Sequence, residues 1–142
     1  MISTQPTIAL VDDDKVFQLI ASRSIRAGNF QGRILTFNNG GEALEYLEQN
    51  AANPDELPDL IFLDINMPVV DGWAFLEDYI QLKAQLRKPM RVYMVSSSVD
   101  SRDISRARSF EDVREYICKP VSQQKFAELL AFYEEEIDDS RQ

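Results

Sequence analysis

The chain has 142 residues, enough for one domain of ordinary size, with 44% apolar and 27% charged residues. Its net charge of −9 disfavours nucleic acid or an anionic membrane as a direct partner, and no run approaches the roughly 20 apolar residues of a membrane span. There is no histidine and a single cysteine, Cys118. This excludes histidine-based acid–base catalysis, histidine metal ligation, a histidine-kinase or phosphotransfer role, and an internal disulfide. A reducing cytoplasm is the expected compartment, since residues 1–6 lack the pattern of a signal peptide.

In chain order, Thr7-Ile8-Ala9-Leu10-Val11 is an apolar, β-prone run ending on Asp12-Asp13-Asp14. A helical stripe follows from Lys15 (Val16, Phe17, Ile20, Ala21, Ser24, Ile25), with an aspartate cap and a stop at Gly28. Ile34–Phe37 predicts a second strand, Asn38–Gly41 a turn, and Glu42–Gln49 a short helix with Ala43, Leu44 and Leu47 on one face. Residues 50–58 carry two prolines and little that is apolar, and read as a loop.

Leu60-Ile61-Phe62-Leu63 has no alternation, as expected for a strand covered on both faces, and it ends on Asp64. Val69-Val70-Asp71-Gly72 then turns the chain into a helix with Trp73, Leu76, Tyr79 and Ile80 as its stripe. Val92–Val95 is a fourth strand ending on Ser96-Ser97-Ser98, and Asp100 caps a polar helix running to about Phe110. Val113–Cys118 is the fifth strand, ending on Lys119-Pro120. The last helix carries Phe126, Leu129, Leu130, Tyr133 and Ile137 before an acidic tail. Cys118 reads as a small buried residue, Trp73 as core, and Arg102, Arg106 and Arg108 as solvated surface that could mark a partner face.

Strands and helices alternating in this way make a doubly wound α/β fold, a five-stranded parallel sheet with helices on both faces. The carboxyl ends of all strands then lie on one edge, where ligands bind. Asp12, Asp13, Asp64, Ser96 and Lys119 should meet there, while the second strand, ending on Asn-Asn-Gly-Gly, fits an outer position. Clustered carboxylates repel, and an all-oxygen site suits Mg²⁺ or Mn²⁺. A carboxylate, a hard cation, a lysine and a hydroxyl are the parts needed for phosphoryl transfer to an aspartate. Asp12–Asp14 as simple helix caps, Asp64 as a turn acid and Ser96–Ser98 as loop polarity are the competing readings of each piece alone.

Taken together, Val11-Asp12-Asp13, Asp64-Ile65-Asn66-Met67-Pro68-x-x-Asp71-Gly72, Val95-Ser96-Ser97 and Tyr116-Ile117-Cys118-Lys119-Pro120 carry a family resemblance. The chain resembles the receiver domain of bacterial two-component response regulators, most closely the stand-alone chemotaxis type. The resemblance implies a flavodoxin/CheY-like sheet of order 2-1-3-4-5 in a receiver domain over 7–137, with flexible termini at 1–6 and 138–142. It implies Asp64 as phosphoacceptor from a sensor histidine kinase or phosphotransfer protein. Mg²⁺, or Mn²⁺, would be held by Asp13 and Asp64, by Asp12 through water, and by the Asn66 carbonyl. Ser96 and Lys119 would contact the phosphoryl oxygens, and Ser96 and Tyr116 would form the switch. The Lys119–Pro120 bond would be cis. Asn66 and Ser98 would tune the phosphoryl lifetime, and small Ser97 would leave the acceptor open. Asp14 makes the acidic run a triplet, and Val11 places the metal pair at Asp12 and Asp13.

The output would be a contact with a downstream protein through the fourth helix, fifth strand and fifth helix, with neither nucleic acid nor membrane as partner. Two other readings compete: a Mg²⁺-dependent hydrolase of a separate phosphorylated substrate, and a degenerate receiver serving as a constitutive binding module. Asp64 is followed by Ile-Asn rather than a second acid two residues on, which weighs against the hydrolase. The complete motif set weighs against the degenerate module.

Overall fold

The computed structural model describes residues 5–140, with side chains described through Ile137. The elements run β1 (Ile8–Val11), α1 (Lys15–Ala27), β2 (Ile34–Phe37), α2 (Gly40–Gln49), β3 (Leu60–Leu63), α3 (Gly72–Leu82), a 3₁₀ turn (Lys83–Gln85), β4 (Arg91–Ser96), α4 (Ser101–Arg108), β5 (Val113–Cys118) and α5 (Gln123–Ser140). All strand pairs are parallel, in the order β2-β1-β3-β4-β5. No helix among the described residues is long and apolar enough to cross a membrane. The expectations for residues 1–4, 141 and 142 lie outside the described residues, while α5 continues through Ser140.

Every residue of β1 and β3 is buried because successive side chains feed two different cores. Ala9, Val11, Ile61, Leu63, Val92 and Met94 point into one cluster with the buried faces of α2 and α3. Ile8, Leu10, Leu60, Phe62, Tyr93 and Val95 point into the other, against Ala21, Ile25, Phe126 and Leu129 of α1 and α5. Apolar residues at every position of β1 and β3 are therefore the direct consequence of helices on both faces. In register, Val11 pairs with Leu63, so Asp12 and Asp64 emerge side by side one residue later.

Several local expectations need correction. Gly40 and Gly41 belong to α2 rather than to a turn, because Asn39 accepts from the Glu42 N–H and Glu42 reaches back to the Asn38 N–H, closing the helix start two residues early. Val16 and Ile20 are 65% and 55% exposed, so the buried stripe of α1 is narrower than its apolar content. Ile80 likewise lies at the margin of α3, where Trp73, Phe75, Leu76 and Tyr79 form the buried face. Leu57, in the proline-containing loop, is fully buried in the α2–α3 core. Cys118 is exposed, not buried: β5 is an edge strand, and Ile117 takes the inward position beside it.

Candidate functional site

The acidic run after β1 divides its labour. Asp14 caps α1, its Oδ1 accepting from the Val16 N–H at 2.9 Å and the Phe17 N–H at 3.2 Å. The Asp14 N–H in turn donates to Asp12 Oδ1 at 2.8 Å, which folds the loop back on itself. Asp13 is left exposed on the rim. Ligand atoms of Asp12, Asp13 and Asp64 lie within 4.8 Å of one another, with Asp14 outside the group. The cap reading thus holds for Asp14 alone.

Asp12 is only 1% exposed, and the charge it buries is met from the far side of the sheet. Lys119, directly after β5, places Nζ 2.7 Å from Asp12 Oδ2 and 3.8 Å from Asp64 Oδ2. The backbone brings it there: the Lys119 N–H donates to the Ser96 carbonyl at 2.8 Å, and the Lys119–Pro120 bond is cis. Burial raises the Asp64 carboxyl from 3.8 to about 6, and the Asp12 charge pushes the same way. Lys119 and the backbone amides of Asn66 and Ile65 hold it back from rising further.

The loop after β3 closes tightly over Asp64. The Gly72 N–H donates to the Ile65 carbonyl at 2.8 Å, and a Cβ at Gly72 would stand 2.4 Å from the Asp64 carbonyl oxygen. Glycine is required there by close approach of backbone. Asp71 then caps α3 through the Ala74 N–H at 2.8 Å. At the loop tip the Val70 N–H donates to the Pro68 carbonyl at 2.8 Å, forcing Val69 to φ 67° in a tight positive-φ turn. Asn66 is exposed on this loop.

The loop after β4 is braced around Ser98. Buried Ser96 accepts from the Ser98 N–H through Oγ at 3.1 Å. Ser98 Oγ donates to Asp103 Oδ2 at 2.7 Å and accepts from the Asp100 N–H at 3.2 Å. The Tyr116 hydroxyl donates to the Ser98 carbonyl at 2.8 Å, tying β5 to the same loop. Ser97 is exposed.

Two neighbours of the site escape sequence reasoning. Gln18 Nε2 donates to the Asp12 carbonyl at 2.6 Å and lies 3.3 Å from both the Phe37 carbonyl and Asn38 Oδ1, locking the ends of β1 and β2 together. Phe17 presents its ring 4.4 Å from Lys119 Nζ. The available signal was their place in the first turns of α1, just past the acidic run. The structure therefore gathers Asp12, Asp13, Asp64 and Lys119 in one notch, with Ser96 and Tyr116 joined to the adjoining loop.

Comparison with known proteins places this geometry. Residues 8–131 match the Response regulator receiver domain family. The chain is 32% identical over 116 residues to the probable methanogenesis regulatory protein FilR2 of Methanothrix harundinacea, covering 81% of this chain and 72% of that one. It is 33% identical over 117 residues to the transcriptional regulatory protein PrrA of Mycobacterium tuberculosis, covering 82% of this chain but 45% of PrrA. A two-component response regulator structure from Cytophaga hutchinsonii superposes with TM-score 0.81 and 25% identity, over 92% of this chain and 96% of that chain. A match over most of the chain, agreeing with the strand order and with the acids and lysine on one rim, makes this protein a member of the response regulator receiver domain family, the signalling domain of two-component systems.

Proposed function

We propose that this chain is a phosphorylation-controlled switch that accepts a phosphoryl group on Asp64 from the phosphohistidine of a kinase or phosphotransfer protein. The observation that carries the reading is the convergence of Asp12, Asp13, Asp64 and Lys119 within one notch. An Asp64 carboxylate oxygen attacks phosphorus; the P–N bond of the donor breaks, and the departing imidazole takes up a proton. The product is an aspartyl phosphate, which water later hydrolyses to inorganic phosphate and free Asp64.

Three carboxylates within reach of one another are a donor set that fits an all-oxygen divalent-cation site. Asp13 and Asp64 would hold Mg²⁺ directly, Asp12 through water, with the Asn66 carbonyl as a further ligand; Mn²⁺ fits the same donors. Bound there, the cation would neutralise charge on the equatorial phosphoryl oxygens. Lys119 leaves Asp12 to pair with one of those oxygens, and the Ser96 hydroxyl donates to another.

The readout is a two-state change in a protein-binding surface made by α4, β5 and α5, in the cytoplasm, with neither nucleic acid nor membrane involved. The Tyr116–Ser98 hydrogen bond supports this, since it links the Ser96 loop to β5. Arg102, Arg106, Arg108 and Arg114 are exposed on α4 and β5, with Arg102, Arg106 and Arg114 paired to Asp100, Glu77 and Glu136. The test is incubation with a small phosphodonor and Mg²⁺, followed by intact mass. One added phosphoryl group is expected, absent in Asp64→Asn and without Mg²⁺. Equal labelling of Asp64→Asn would falsify the acceptor assignment, and sustained turnover of a phosphomonoester would turn the reading into a hydrolase.

A further inference from the structure

We infer that Phe17 is a positioning residue for Lys119, holding its ammonium at the mouth of the acidic notch through the face of its ring. The inference rests on the phosphoacceptor reading of Asp64 and adds a residue to it.

Lys119 Nζ has three neighbours: Asp12 Oδ2 at 2.7 Å, Asp64 Oδ2 at 3.8 Å, and the Phe17 ring centroid at 4.4 Å. The two carboxylates draw the cation inward. The ring attracts it as well, and the Lys119 side chain is left 17% exposed. A π face differs from a third carboxylate in two ways. It adds no charge to a notch that already holds three acids, and its attraction for the cation is not confined to one N–H direction. Lys119 can therefore change partner from Asp12 to an incoming phosphoryl oxygen while the ring contact persists.

The placement of Phe17 is built into the same acidic run. Its N–H donates to Asp14 Oδ1, so the residue that caps α1 also sets where the ring begins. The ring packs against the α1–α5 core on one side, which limits its rotamers. An aliphatic residue of similar size would keep that packing and lose the cation contact.

The experiment compares Phe17→Leu and Phe17→Tyr with the unmodified chain. Phosphorylation rate from a small donor is measured with Mg²⁺, and the chemical shifts of the Lys119 ε-methylene protons are measured without metal or donor. Phe17→Leu should slow labelling about threefold to tenfold, between the ranges expected for an exposed and a fully desolvated cation–π contact. It should also abolish the upfield ring-current displacement of the Lys119 signals. Phe17→Tyr, which keeps the π face, should retain both within about twofold of the parent. Equal rates for Phe17→Leu and the parent would overturn the proposal. So would equal losses in both variants, or a Lys119 shift indifferent to the ring. If the parent takes no label at all, the phosphoacceptor reading fails; the Lys119 shift then still reports separately on the Phe17 contact.

Discussion

Lys119 and Asp12 form an ion pair of 2.7 Å that spans the sheet, joining the end of β5 to the end of β1. Asp12 Oδ1 is already occupied by the Asp14 N–H, so Lys119 is the cation that answers its other oxygen. Removing one member of a buried pair leaves an uncompensated charge. Lys119→Met should destabilise the metal-free protein by about 3 kcal/mol, the lower end of the usual range because Lys119 is partly exposed. Asp12→Asn in the same chain should recover most of that loss. Urea denaturation of the single and double variants measures both.

Asp64 makes stability depend on pH. Its carboxyl lies at about 6 in the folded chain against 3.8 for an unperturbed aspartate, so the folded state favours the protonated form. The stability this contributes is present below about pH 4 and is lost as pH rises through about 6. Asp64→Asn removes the penalty on the charged form. It should stabilise the metal-free protein by about 2–3 kcal/mol at pH 7.5 and hardly at all at pH 3.5. Denaturation across that range is the check, and saturating Mg²⁺ should shrink the difference by stabilising the parent selectively.

Val69 sits at φ 67° with 95% of its surface exposed. A β-branched residue is strained there and buries nothing in return. The other non-glycine residue at positive φ among those described is Asn29, a type that tolerates it. Val69→Asn should therefore raise stability by about 1 kcal/mol, read as a shift in denaturant midpoint with unchanged slope.

The Tyr116 hydroxyl holds the Ser98 carbonyl from across the α4–β5 boundary. Tyr116→Phe keeps the ring and deletes that hydrogen bond. A loss of about 1 kcal/mol is expected, with the phosphorylation rate from a small donor essentially unchanged. Amide hydrogen exchange should quicken along the loop joining β4 to α4 and not along the loop after β1.

Much of this protein follows from short-range pattern. Unbroken apolar runs at Ile8–Val11 and Leu60–Leu63 require helices on both faces, which makes the sheet parallel and puts every strand end on one rim. Asp12, Asp64, Ser96 and Lys119 were legible as candidates because each stands at the end of a β-prone segment. Helix caps at Asp14 and Asp100 depend on neighbours two or three residues away, and the pattern reaches that far. Asn39 obeys the same rule, yet the paired glycines after it read as a turn.

Tertiary structure alone decided the rest. Which aspartate Lys119 meets, and that Phe17 and Gln18 stand beside the notch, depend on the register of β5 and β1 within a twisted sheet. Exposure was settled the same way. Cys118 lies outward because β5 ends the sheet, and Leu57 is buried because its loop folds under the α2–α3 layer. Periodicity states which residues are apolar and on which side of an element they fall. How wide a face the neighbouring layer covers is a property of the packed whole, and Val16 and Ile20 lie just beyond it.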